Sequence, residues 1–292
     1  MAASEMEGEV AGKEREQAEK KPRKRNRQEF APFGNYRCYY GYRVGQELDE
    51  DPRLKVLKRE WFEGKDCLDI GCNNGLVTIY MAKRFCCRSI LGIDIDSNRI
   101  EDAHWHLRKT VRMQCAGKSD SKTLQSGAEE RPDNDAQELG MSKDRETRKC
   151  TKNHSLSEKR DLFEIVSFRR ENFVLAWTDA HESYDTILCL SVTKWIHLNW
   201  GDEGLITLFS KIWQLLRQGG IFILEAQPWR SYDKNRLVSE TTAANYDKIM
   251  YPPEDFQDIL LDKIGFRTVE DLTSGLSGTK AGFNRPVLAF RK

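Results

Sequence analysis

Long apolar runs are missing from this chain. Nothing in its 292 residues approaches the ~20 consecutive apolar positions of a membrane-spanning helix, and the polar N-terminal stretch lacks the apolar segment of a secretory signal. The eight cysteines form no C-x-x-C pair and no Cys/His cluster at zinc-ligand spacing, which argues against a disulfide framework and against a metal site. An excess of charge of one sign is missing too: 47 Lys and Arg stand against 46 Asp and Glu, a net charge of +1, so attraction to a polyanion must come from local clusters. At 39% the hydrophobic share falls below the roughly 45–50% of an ordinary domain, so part of the chain is expected to stay unfolded. These shortages exclude collagen, coiled-coil and membrane architectures for the chain as a whole. They predict a soluble, intracellular protein.

Two segments account for the deficit. Residues 1–29 hold almost nothing that could be buried, and their charge is segregated: acidic residues dominate up to Glu19, and a basic block follows from Lys20 to Arg27. Such a block reads as a disordered arm that touches nucleic acid or serves as a nuclear-import signal, with a solvated tail that has no specific partner as the alternative. Residues 114–161, rich in Ser, Lys, Glu and Asp and without apolar periodicity, read as a disordered insertion, because too few apolar side chains offset the entropy of ordering them. The rest of residues 30–292 is roughly 215 positions, the size of one α/β domain.

Within it, strands and helices alternate. Asp66 to Ile70, Ile90 to Ile95, Phe163 to Phe168, Tyr184 to Leu190 and Gly220 to Glu225 are short apolar runs, whereas Leu76 to Phe85 and Asp202 to Arg217 space their apolar residues as helices do. The alternation predicts right-handed βαβ units and a mostly parallel sheet covered on both faces. After a helix over 256–264, the segments 265–269 and 286–290 have no helix between them and read as a terminal antiparallel hairpin.

The first strand runs through Asp69, Gly71, Asn73 and Gly75 directly into a helix, where glycines allow a ligand close to the backbone. The spacing is D-x-G-x-x-x-G, not the G-x-G-x-x-G of a pyrophosphate-binding turn, so a nucleoside ligand without a phosphate demand is favoured. Asp94 ends the second strand, where a carboxylate can accept hydrogen bonds from both ribose hydroxyls. Asn172 and Phe173 follow the third strand and offer an amide and a ring to an adenine; Leu190 closes the fourth. Singly, each has an ordinary structural explanation, such as a turn glycine or a helix cap. Together, at successive strand ends, they describe an adenosine pocket that suits S-adenosyl-L-methionine, and hence a Rossmann-like class I methyltransferase with a seven-stranded sheet.

Five further strings stand out: Phe33 to Arg43, Trp61-Phe62 leading to Leu68-Asp69-Ile70-Gly71-Cys72-Asn73, Gly92 to Asp96, the long run from Leu188 to Gly204, and Glu225-Ala226-Gln227-Pro228-Trp229. Through them the sequence resembles the bicoid-interacting-type RNA methyltransferases. Ala226 departs from the family's Glu-Pro-Gln-Pro-Trp. The resemblance implies that S-adenosylmethionine is held by Tyr39, Arg53, Gly71, Cys72, Asn73, Asp94, Ile95, Asn172, Phe173 and Leu190. It also implies methyl transfer to the 5′ γ-phosphate of a triphosphate-ended small non-coding RNA of the 7SK type, and so a nuclear location, with the cytoplasm as a second compartment. A La-related protein in a small nuclear ribonucleoprotein is the partner it allows.

A phosphate oxygen is already anionic, so the reaction asks chiefly for alignment and charge. Lys194 and His197, read as lying in the loop after the fourth strand, would act with Arg43 and Tyr36 as donors to phosphate oxygens. Gln227 and Trp229 would add a donor and a flat surface for the first base. Trp195 and Trp200 read as packing aromatics, with His197 hydrogen-bonded among them as its alternative role. A 5′-monophosphate acceptor and a non-catalytic RNA-binding subunit stay open beside the triphosphate reading.

Overall fold

The computed structural model describes residues 31–36, 51–119, 161–177, 180–274 and 285–292. The basic arm, Tyr39, Arg43 and most of the expected insertion lie outside them. Seven strands form one sheet: β1 (Asp66–Ile70), β2 (Ser89–Asp94), β3 (Val166–Arg170), β4 (Tyr184–Leu190), β5 (Leu216–Glu225), β6 (Thr268–Asp271) and β7 (Leu288–Arg291), in the order β3-β2-β1-β4-β5-β7-β6. The first five are mutually parallel, and β7 runs antiparallel to both β5 and β6. The chain leaves β1 in one direction for β2 and β3, then returns to place β4 on β1's other side. That reversal opens a crevice at the carboxyl ends of β1 and β4.

The inner strands are apolar on both faces because both are covered. Cys67 and Ile90 point into one core with Val77, Met81 and Phe85, whereas Leu68, Ile70 and Ile93 point into the other with Leu205, Phe209 and Ile212. This is the two-residue alternation of a strand read against two buried layers. Helix α1 (Leu76–Phe85) starts at Gly75 and stops at Cys86, both left-handed. Gly75 is required by closeness as well as by φ: a Cβ there would lie 2.5 Å from the Phe168 ring and 2.7 Å from Ala103 Cβ.

Several sequence expectations need correction. Helix α2 (Ser97–Ser119) runs past Gln114, so the polar segment begins later than its composition suggests. The run read as a strand from Phe163 begins as a one-turn helix, α3 (Leu162–Ile165), whose end Asp161 caps by accepting from Phe163 N at 3.2 Å; β3 starts only at Val166. Helix α4 (Thr193–Leu215) begins directly after β4, so Lys194 and His197 are helical and not in a loop. Gly201 (φ 63°, ψ −165°) breaks α4 in the middle. Two short helices, α5 (Trp229–Asn235) and α6 (Glu240–Tyr246), follow β5.

Candidate functional site

A cavity of about 760 Å³, counted to its open mouth, lies at the carboxyl ends of β1, β2 and β4. Gly71, Asn73, Asp94, Ile95, Asn172, Phe173 and Leu190 all line it, so seven residues expected from strand ends or from family likeness come together. Cys72 and Arg53 do not line it. The Cys72 side chain is buried in the core, with its thiol raised by burial. Arg53 is buried in ion pairs with Asp51 and Glu225, at 2.7 Å each.

The glycine turn is tightly built. Gly71 has φ +73°, and a Cβ on it would meet Val192 Cγ2 at 2.3 Å, so the turns after β1 and β4 touch across the switch point. The amides of Gly71 and Cys72 both donate to Ile93 O, at 2.8 and 2.9 Å. Asn73, also left-handed at φ 50°, donates its amide to Asp94 Oδ2 at 2.9 Å, and Asp96 N donates to Asp94 Oδ1 at 3.0 Å. Each Asp94 oxygen therefore keeps a lone pair for an incoming hydroxyl. Burial raises the Asp94 carboxyl above its ordinary value, while those two amides pull it down.

The charge of the lining is informative. Asp94 and Glu171 contribute carboxylates, and no Lys or Arg is among the described lining residues. A pyrophosphate would find no counter-charge here, whereas a cationic sulfonium beside a nucleoside suits two carboxylates, an amide and aromatic walls. The donor set thus fits S-adenosylmethionine.

Other walls were not anticipated. Trp195 and Trp200, expected only to pack, both line the cavity. They do so because residues 31–36 cross over them: Phe33 stacks on Trp200 at 5.8 Å, Asn199 Nδ2 donates to Pro32 O at 2.9 Å, and Asn35 Nδ2 donates to Asp96. A Cβ on Gly34 would strike the Trp195 indole at 1.9 Å, so only glycine fits that crossing. The glycine between an aromatic and an amide was the available signal.

Beside the Trp195 wall sits the cluster expected to hold the acceptor. Lys194 Nζ donates to Ser231 Oγ at 3.0 Å and lies 4.2 Å from the Trp195 ring centroid. The Tyr36 ring meets Trp195 edge-on at 5.9 Å, and its hydroxyl donates to Asn235 Oδ1 at 3.3 Å. Gln227 is absorbed by the framework: its Oε1 accepts from Lys194 N at 3.2 Å and its Nε2 donates to Ser191 O. The Trp229 ring stacks on Tyr232 and Tyr246, at 5.2 and 5.1 Å. His197 is fully buried, with Nε2 2.7 Å from Asp202 Oδ1 and Nδ1 3.4 Å from the Tyr232 hydroxyl. Both ring nitrogens are engaged, and burial holds the imidazole below its ordinary pKa against the pull of Asp202. A neutral, enclosed ring does not serve as the phosphate donor the sequence suggested, so His197 belongs to the packing.

The Bicoid-interacting protein 3 (Bin3) family model matches residues 184–292, from β4 to β7 and beyond. A probable RNA methyltransferase of Arabidopsis thaliana is 61% identical over 274 residues, spanning 92% of this chain and 83% of that protein. The 7SK snRNA methylphosphate capping enzyme of Homo sapiens is 38% identical over 281 residues, 89% of this chain but 39% of that longer protein. The U6 snRNA methylphosphate capping enzyme of Drosophila melanogaster is 32% identical over 267 residues, spanning 89% of this chain and 74% of that protein.

Proposed function

The chain belongs to the Bicoid-interacting protein 3 family, and from that premise we propose that it methylates the 5′-phosphate end of RNA, with the γ-phosphate of a triphosphate-ended small non-coding RNA as acceptor. The observation that carries this reading is the cavity at the β1/β4 switch point, lined by Asp94 and Glu171 and, among the described residues, by no Lys or Arg. It is joined by relatives named as an RNA methyltransferase and as methylphosphate capping enzymes of small nuclear RNAs.

Bound S-adenosylmethionine would supply an electrophilic methyl on a sulfonium. Asp94 would accept from ribose hydroxyls, the Asn172 amide and the Phe173 ring would hold the base, and the two carboxylates would favour the cation. Trp195 and Trp200, crossed by residues 33–35, keep water from that wall. Lys194, held between Ser231 and the Trp195 face beside the donor cavity, would hold a phosphate oxygen in line. No general base is needed for an anionic oxygen, so positioning supplies the rate.

Purified protein, labelled methyl donor and one RNA bearing a triphosphate, monophosphate or hydroxyl 5′ end make the test. Transfer to the triphosphate RNA alone is expected. Transfer only to the monophosphate moves the acceptor inward by two phosphates, and no transfer with intact donor binding makes the chain a binding subunit. A fluorescent fusion that stays out of the nucleus would overturn the nuclear location.

A further inference from the structure

Residues 172–176 form a single turn that carries the two base-holding residues, and it is closed at both ends. At its start Asn172 Oδ1 accepts from Val174 N and Leu175 N, both at 3.2 Å, and Asn172 O accepts from Ala176 N at 2.8 Å. At its finish three carbonyls point at one ammonium. Lys211 Nζ, on α4, donates to Phe173 O at 2.8 Å, to Val174 O at 3.2 Å and to Ala176 O. The same nitrogen lies 5.5 Å from the Phe173 ring centroid. A one-turn segment has too few internal hydrogen bonds to hold itself, and its last carbonyls are the groups a nearby cation satisfies best.

We propose that Lys211 is a positioning residue for the nucleobase of the methyl donor, acting through the 172–176 turn and without touching the ligand. The inference rests on the donor assignment above. The turn's geometry spends the Asn172 oxygen on backbone amides, leaving its NH2 as the group presented to the cavity. A donor in that place selects a base edge that offers an acceptor. Adenine offers a ring nitrogen lone pair on its pairing edge where hypoxanthine carries N–H. Lys211 fixes this choice because it holds the far end of the turn, and with it the plane of Phe173.

The test compares Lys211→Met and Lys211→Arg with wild type by calorimetry, using S-adenosylhomocysteine and its deaminated analogue S-inosylhomocysteine. Lys211→Met is expected to weaken S-adenosylhomocysteine at least tenfold and to narrow the adenosyl-over-inosyl preference, with the KM for RNA unchanged. Lys211→Arg, which keeps a multiply donating cation, should restore most of both. The preference is a ratio, so a partly unfolded sample does not alter it. An unchanged preference and affinity in Lys211→Met, or a loss shared equally by the RNA KM, overturns the inference. Failure of wild type to bind S-adenosylhomocysteine overturns the donor assignment itself, and the inference with it.

Discussion

Asp69, in the middle of the D-x-G turn's approach, sets up a pH dependence that can be isolated by one substitution. Its carboxylate is fully enclosed and accepts from Thr78 Oγ1 at 2.6 Å. Burial pushes its pKa from 3.8 up to about 6, while the Thr78 bond and the Arg53 charge pull the other way. Between pH 4 and pH 6 the folded protein holds a proton that the unfolded chain has released, so stability falls as pH rises through that window. A shift of roughly two units at 1.36 kcal/mol each makes the loss about 3 kcal/mol, complete by pH 7. Asp69→Asn keeps an oxygen for Thr78 and removes the titration. Urea unfolding of both proteins at several values from pH 4 to pH 7 gives the difference in stability, in which titrating groups that do not interact with Asp69 cancel. The variant should gain about 3 kcal/mol on wild type across that range. Parallel stability profiles would refute the argument, since they would mean that Asp69 is ionised at no cost in the folded state.

Gly71→Ala places a Cβ 2.3 Å from Val192 at a left-handed φ, so it should cost about 2–4 kcal/mol from backbone and overlap together and weaken S-adenosylhomocysteine binding. Val192→Ala in the same chain should recover the overlap share, and no recovery in calorimetry would mean that the two turns do not press on each other. Asp94→Asn should abolish donor binding while Lys194→Met spares it and lowers turnover on RNA; equal loss of donor affinity in both would contradict the division of roles. His197 should be neutral at pH 7 with its proton on Nε2, as the bond to Asp202 requires, and an imidazolium in nitrogen NMR spectra at that pH would contradict its enclosure.

The parallel core was legible because its signals are local. β1, α1 and β4 follow from apolar runs and turn glycines within a few residues of each other. The start of α4 was not, and the reason is a distant one: Val192 offers no side-chain cap, and the amide of Lys194 is held instead by Gln227, 33 residues along. Lys194 therefore looks like a loop residue until β5 is in place beside β4. His197 was misjudged for a related reason. In an unbroken helix the fifth residue on is not a neighbour, and only the Gly201 break turns Asp202 back onto the ring. In α3 the signal was present in the sequence, since Asp161 stands before Leu162 as a cap, but an aromatic and β-branched run over four residues reads equally well as strand. Trp195 and Trp200 needed residues 33–35, about 160 positions earlier, to become cavity walls.

One buried carboxylate, Glu225, explains how a turn as strained as the one after β4 persists. Ser191 has φ 65°, a conformation that a non-glycine residue holds only when its surroundings over-determine it. Ser191 N donates to Glu225 O at 2.9 Å, its hydroxyl donates to Glu225 Oε2 at 2.6 Å, and its carbonyl accepts from Gln227. Glu225 is in turn fixed by Arg53 at 2.7 Å, with Arg285 3.6 Å from its other oxygen. Arg53, Ser191, the 225–227 segment and Arg285 come from separate stretches of chain, so none of them can relax alone, and a buried network with its hydrogen bonds made stiffens what it surrounds. Ser191 lines the donor cavity while Gln227 holds the helix start that carries Lys194. The wall facing the donor and the lysine on the acceptor side are therefore set by the same few buried polar groups. That is the arrangement an in-line transfer needs, because the distance between its two reactants is then fixed by the protein framework and not by either ligand.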